Sequence, residues 1–236
     1  MAYGIIFDLD GTLADTMDDL KTAVNATLTK LGYDTRAKFE LLNFINNGSR
    51  ELIRRSLPTA VQTEDFIIDS AHNLFFQEYE KCFCEKTSAF PGICEAILEL
   101  KKKKFKLGVL SNKPDQFVKV IIAKLFGEKT FDFVMGKSDF PHKPDPSSAL
   151  FVAKEMGVKP HKCSLVGDSD IDMKTAENAG MRSIGVQWGY RSTDVLLSAG
   201  ADYIASSPTE MIEHALECVR ITKMERKLRK RNKYSE

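Results

Sequence analysis

Two rhythms of apolar residues alternate along the chain. Ile5, Ile6 and Phe7 form a short unbroken apolar run, the pattern of a strand buried on both faces. From Thr16 the rhythm turns helical. Met17, Leu20, Val24, Leu28 and Leu31 recur every three or four residues, and Gly32 follows as a stop. Asp15 or Thr16 can cap this helix, and Asp18 and Asp19 suit the positive end of its dipole. The helical mode persists from residue 33 to about 84. Phe39, Leu42 and Ile45 fit one helix, Leu52, Ile53 and Leu57 a second, and Phe66 to Phe83 a third, punctuated by Asn46-Asn47-Gly48 and by Pro58. No strand pattern occurs in this stretch.

Beyond Pro91-Gly92 the two rhythms alternate. Helical positions 93–100 lead into the strand Phe105–Leu110, and helix 115–126 into the strand Phe131–Met135. Helix 147–156 precedes Ser164–Val166, helix 171–179 precedes Ser183–Val186, and Tyr203-Ile204 precedes a long C-terminal helix. Such alternation implies right-handed crossovers and a mainly parallel sheet covered on both faces. The expected architecture is α/β: a Rossmann-like core of residues 1–15 and 86–236, interrupted after its first strand by an all-helical domain of residues 16–85.

Composition narrows the class. The 236 residues are 43% hydrophobic and 28% charged, which suits a soluble globular protein. A net charge of +1 provides no field that would draw nucleic acid or a membrane surface. Five cysteines, of which only Cys82 and Cys84 lie close, make neither a disulfide framework nor a zinc site. No signal peptide pattern and no spanning apolar segment are read. The expectation is a cytoplasmic protein, a monomer or weak homodimer, whose partner is a small molecule. The basic tail from Arg220 to Lys233 lacks the interleaved aromatics of a nucleic-acid stacking surface and reads as a solvated helix.

Parallel sheets bind ligands beyond the carboxyl ends of their strands, and that is where this chain places its chemistry. The first strand ends in Asp8-Leu9-Asp10 and the second in Ser111-Asn112-Lys113. His142-Lys143-Pro144-Asp145 lies beyond the third, and Gly167-Asp168-Ser169-Asp170-Ile171-Asp172 ends the fourth. In an extended segment Asp8 and Asp10 face the same way while Leu9 points inward. Converging carboxylates repel unless a cation joins them or one keeps a proton. Asp168 and Asp172, four apart at a helix start, can share a face. An all-oxygen cluster suits a hard cation, with magnesium the first choice. Ser111 and Lys143 add a hydroxyl and a positive charge suited to a phosphate group. A calcium loop fits poorly, because glycine falls at the fourth position from Asp8 and a strand precedes it.

The order D-L-D-G-T-L-x-D, a strand ending in S-N, a K-P lysine and G-D-S-x-x-D resembles the haloacid dehalogenase (HAD) superfamily. The helical insert resembles that superfamily's first type of cap domain. "LSNKP", "GDSDIDMKTAENAGM" and "GVQWGYRS" resemble the phosphoglycolate phosphatase branch. The resemblance implies a HAD fold and a magnesium-dependent phosphatase of small phosphorylated metabolites, with 2-phosphoglycolate the favoured substrate. It implies that Asp8 is the nucleophile that becomes an aspartyl phosphate. Asp10 would protonate the leaving alcohol, deprotonate the attacking water and touch Mg2+ through its backbone carbonyl. Asp8 and Asp168 would ligate the metal, and Asp172 would hold a metal-bound water. Ser111 and Lys143 would bind phosphoryl oxygens, with Asn112 beside them. Arg50, in the cap turn Asn47-Gly48-Ser49-Arg50, would reach a substrate carboxylate or stand solvated at a helix start. A phosphomutase, a sugar-phosphate or pyrophosphate phosphatase on the same scaffold, and a non-catalytic binding protein are the competing readings.

Overall fold

Strand β1 (Gly4–Phe7) is the centre of the molecule, and the rest of the chain is arranged around it in a computed structural model that describes residues 2–232. The chain leaves β1 through a two-residue strand β2 (Ala14–Asp15) and enters four helices: α1 (Met17–Lys30), α2 (Lys38–Leu42), α3 (Ser49–Ser56) and α4 (Asp65–Cys82). It returns through β3 (Ser88–Ala89) and then alternates: α5 (Ile93–Lys102), β4 (Lys106–Pro114), α6 (Asp115–Phe126), β5 (Phe133–Lys137), α7 (Ser147–Glu155), β6 (Cys163–Gly167), α8 (Asp170–Asn178), β7 (Arg182–Val186), α9 (Thr193–Ser198), β8 (Tyr203–Ala205) and α10 (Pro208–Asn232). The end of the basic tail, Lys233, lies outside the described residues.

The main sheet has the order β5-β4-β1-β6-β7-β8, and every neighbouring pair is parallel. Strands β4 and β5 build outward on one side of β1, and β6 to β8 on the other. The winding direction therefore reverses at β1, which makes its carboxyl end the crevice where open α/β sheets bind ligands. The unbroken apolar run of β1 follows from this central place. Ile5 and Phe7 pack with Leu107, Val109 and Ile121 on one face, while Ile6 meets Val152, Ala153 and Leu165 on the other.

Helices α1 to α4 bury a core of their own, with Leu20, Val24, Leu28, Leu52, Ile68, Phe75 and Tyr79 in it. Phe117 of α6 joins this cluster from the sheet side. The two connectors between helical and sheet regions pair with each other: Ala14 lies opposite Ala89 and Asp15 opposite Ser88, antiparallel. Alternation over two residues is too short a signal to read in sequence.

Asp19 has a structural task beyond the helix dipole. Its carboxylate is 1% exposed. It accepts from the backbone N–H groups of Lys86 (3.0 Å) and Thr87 (2.8 Å) and from the Thr87 hydroxyl (2.7 Å). This clasp fixes the start of α1 to the returning chain. Asp19→Ala leaves those buried donors unpaired, so we expect a loss of about 3 kcal/mol. Urea unfolding should show a lower midpoint with an unchanged slope.

Candidate active site

The backbone hydrogen bond from Asp8 N–H to Val166 (2.9 Å) carries the extended path of β1 one residue further. Leu9 is fully buried, and its carbonyl accepts from Leu13 and Ala14, each at 3.0 Å, turning the chain sharply away. Gly11 makes the turn possible. Its φ is +87°, and a Cβ there would stand 2.3 Å from a carboxylate oxygen of Asp168. The Thr12 hydroxyl donates to Asp168 Oδ1 at 3.2 Å. On the opposite side Tyr190 N–H donates to Oδ2 at 2.8 Å, and a Cβ on Gly189 would come within 2.1 Å of Asp168 Cβ. Backbone packed from two sides thus holds Asp168 in one place.

Asp8, Asp168 and Asp172 are all buried and bring one oxygen each to within 4.8 Å of the others. Lys143 is 5% exposed. Its ammonium donates to Asp8 Oδ1 (2.8 Å), Asp172 Oδ1 (2.7 Å) and the Leu110 carbonyl (3.2 Å). The other oxygen of Asp172 accepts from Ser169 Oγ at 2.6 Å and Ser169 N–H at 3.2 Å, a capping box that starts α8. Asn112 secures the lysine's backbone: its Oδ1 accepts from Lys143 N–H (2.9 Å), and its Nδ2 donates to the carbonyls of Lys143 (3.3 Å) and Asn46 (3.1 Å).

One ammonium serves three buried carboxylates, so negative charge is in excess. Burial pushes Asp8 up to about 7; the pull of Lys143 is outweighed by burial together with the charges of Asp172 and Asp10. Burial, with Asp8 and Asp172 alongside, also lifts Asp168 well above the usual carboxylate range. Burial alone would lower Lys143, but Asp172 and Asp8 more than offset it and hold it above its ordinary value. The surplus charge calls for a proton or a cation. The all-carboxylate donor set of Asp8, Asp168 and Asp172 fits a hard divalent cation.

The Asp10 carboxylate is not part of this cluster. Its Oδ1 accepts from the Thr16 hydroxyl (2.5 Å) and from Lys113 Nζ (2.7 Å). Lys113 is 8% exposed and lies 5.0 Å from the centre of the Tyr79 ring. In sequence Lys113 is read only as part of the strand end Ser111-Asn112-Lys113, with no role assigned to it. The available signal was its place directly after Ser111-Asn112. Asp15 organises the loop: its Oδ1 accepts from Met17 N–H (3.1 Å) and from the Tyr190 hydroxyl (2.9 Å).

A cavity of about 620 Å³, open to solvent, lies between the helical domain and the sheet edge. Asp8, Asp10, Ser111, Asn112, Lys113 and Lys143 line its floor. Gly48 and Ser49 line it from the cap, but Arg50 does not. Its guanidinium pairs with Asp65 (2.7 Å) and Asp69 (2.8 Å) of α4 on the exposed surface. The first turn of α3 aims Arg50 at that acidic neighbour, so of its two readings the solvated helix-start residue matches this placement.

In metal-free protein, Asp8 titrates near 7 when folded and near 3.9 when unfolded. The stability this group contributes is therefore full below pH ~3.9 and is lost as pH rises through about 7. A bound divalent cation should restore it. We expect magnesium to raise Tm more at pH 8 than at pH 5.5, and equal shifts at both would count against a cation on this cluster.

Comparison with known proteins agrees with this geometry. Residues 5–186 match the family model for haloacid dehalogenase-like hydrolases. A phosphoglycolate phosphatase of Psychrobacter arcticus is 34% identical over 215 residues, covering 89% of this chain and 90% of that protein. One from Pseudomonas putida is 31% identical, covering 89% of this chain and 75% of that protein. A crystal structure from Lactobacillus delbrueckii subsp. bulgaricus superposes with a TM-score of 0.84 at 31% identity, over 91% of this chain and 99% of the other. CbbY of Rhodobacter sphaeroides, solved in complex with phosphate, gives 0.72 at 26% identity, over 89% of this chain and 96% of the other. With its order of motifs, its parallel sheet and its acidic strand ends, the chain belongs to the haloacid dehalogenase-like hydrolase family.

Proposed function

We propose that the protein is a magnesium-dependent phosphatase that works through an aspartyl phosphate on Asp8, with 2-phosphoglycolate as its substrate. The observation that carries the reading is the buried Asp8 oxygen held 2.8 Å from Lys143 at the rim of a cavity shared with Asp10. The names of the relatives from Psychrobacter arcticus and Pseudomonas putida support the choice of substrate. Five unpaired cysteines fit a reducing cytoplasm.

The residues divide the work as follows. Lys143 Nζ and the Ser111 hydroxyl orient the phosphoryl oxygens and offset their charge. An oxygen of Asp8 then meets phosphorus in line with the leaving alcohol. The Asp8–phosphorus bond forms as the ester P–O bond breaks, and Asp10 gives its proton to the departing oxygen. Asp10 next takes a proton from water, which attacks the same phosphorus and frees Asp8. With Asp10 Oδ1 engaged by Thr16 and Lys113, we assign proton transfer to Oδ2. Magnesium, held by Asp8, Asp168, the Asp10 carbonyl and, through water, Asp172, would keep Asp8 ionised and withdraw charge from the phosphoryl group. The helical domain over the cavity would keep bulk water from the site during transfer.

Asp8→Asn should lower phosphate release from p-nitrophenyl phosphate by at least about 10³-fold. Full activity in that variant would remove Asp8 as the nucleophile. Across a panel of phosphorylated metabolites, phosphoglycolate should show the highest kcat/KM. Better turnover of a sugar phosphate or of pyrophosphate would overturn that choice.

A further inference from the structure

The cavity contains donors that the acidic cluster does not use. Among the described residues, three buried side-chain polar atoms have no hydrogen-bond partner: Asn46 Nδ2, Tyr79 Oη and Ser148 Oγ. The residues of the first two line this same cavity. Burial raises the Tyr79 phenol above its ordinary value, so its hydroxyl stays a donor. Lys113 lies 5.0 Å from the Tyr79 ring centre, near enough to act on the phenol oxygen, and among the described residues its ion pair is with Asp10. A buried donor without a partner costs free energy unless a ligand completes it. Two such donors and one buried ammonium lining the same cavity describe a place for an acceptor with negative charge.

From these atoms we infer a second anion subsite, formed by Lys113 Nζ, Asn46 Nδ2 and Tyr79 Oη, that receives the carboxylate of a short phosphorylated carboxylic acid. The inference rests on the phosphatase reading for the position of the phosphoryl group. The register of β4 shifts between Leu110 and Pro114. That bulge lets Ser111, Asn112, Lys113 and Pro114 all line the cavity, which a regular strand would not allow. Lys113 N–H donates to Ser111 Oγ at 3.2 Å, so the two subsites are neighbours on the chain. Two subsites carried by one short strand end suit a ligand that joins its phosphate and its carboxylate through few bonds. The remaining wall is apolar, with Leu20, Ile45, Leu52, Phe75 and Phe117 in it. This apolar stretch gives few partners to sugar hydroxyls, and its low polarity strengthens a carboxylate–ammonium pair. Asn46 adds a conformational link. Its backbone has φ +80°, and its carbonyl accepts from Asn112 Nδ2, the amide that also holds Lys143 in place. Filling the carboxylate subsite would thus brace the loop that carries the phosphate-binding lysine.

The test compares 3-phosphonopropionate with n-propylphosphonate, which carries a methyl group where the former has its carboxylate. Calorimetry on the magnesium-loaded protein reads both affinities without turnover. The wild-type protein should bind 3-phosphonopropionate at least about 30-fold more tightly, the range expected of charge-assisted hydrogen bonds. Asn46→Ala and Tyr79→Phe should each cut that ratio several-fold, and Lys113→Met should bring it near one. The ratio within each variant cancels any general effect of Lys113 on Asp10. If Lys113→Met does not fold, the other two variants decide. A wild-type ratio near one, or a ratio unmoved by Asn46→Ala and Tyr79→Phe, overturns the subsite. Turnover of p-nitrophenyl phosphate is measured in parallel. Activity with a ratio near one leaves the phosphatase reading standing and removes only the subsite. A high, variant-sensitive ratio without turnover does the reverse.

Discussion

A single buried ammonium determines how the rest of this site is built. Lys143 bridges Asp8 and Asp172, joining the end of the first strand to the helix that follows the fourth sheet strand in the chain. Three carboxylates close together in a buried space would repel each other strongly. The lysine makes the arrangement tolerable, and the charge it leaves uncompensated selects what can bind. The same imbalance favours a divalent cation and, under the proposed function, a phosphoryl group against Lys143.

Much of the surrounding structure exists to keep these charges where they are. Asn112 holds the lysine's backbone, Ser169 holds the far oxygen of Asp172, and Thr12 and Tyr190 hold Asp168. Gly11 and Gly189 allow backbone to close on Asp168 where any side chain would collide. A site of this kind is preorganised: its dipoles and charges are oriented by folding, before any substrate arrives. The cap side is organised differently. Its wall is largely apolar and contains donors without partners, which under the proposed function would suit selection among substrates rather than chemistry.

The two halves meet at Lys113 and Asn112, adjacent residues with different obligations. Asn112 reaches from the lysine loop to the Asn46 carbonyl. Lys113 reaches from Asp10 to the Tyr79 face. The bulge in β4 makes this double engagement possible, since successive residues of a regular strand point to opposite faces. Under the proposed function, substrate choice and acid–base chemistry would be coupled through a few residues of one strand end.

The sequence by itself determined the alternation of elements, the helical insert after the first strand and the polar strand ends. These follow from local periodicity and from turn chemistry, which are written in neighbouring residues. Asp8 and Asp168 stand directly after strands and Asp172 in a first helical turn, positions that local pattern reveals. Ser111 lies inside β4 and Lys143 in the loop between β5 and α7, so their place in the order of motifs is what pointed to them. Only the tertiary structure decided which charges are buried and what they face. Asp19 looks like a helix-dipole charge in sequence and Lys113 only like the end of a strand, yet each is enclosed by segments distant along the chain. Sequence leaves Arg50 open between a ligand for a substrate carboxylate and a solvated helix-start residue, and the two acids that α4 sets beside it are visible only in the fold. Burial and long-range pairing depend on how elements pack, and no local pattern of residues encodes them.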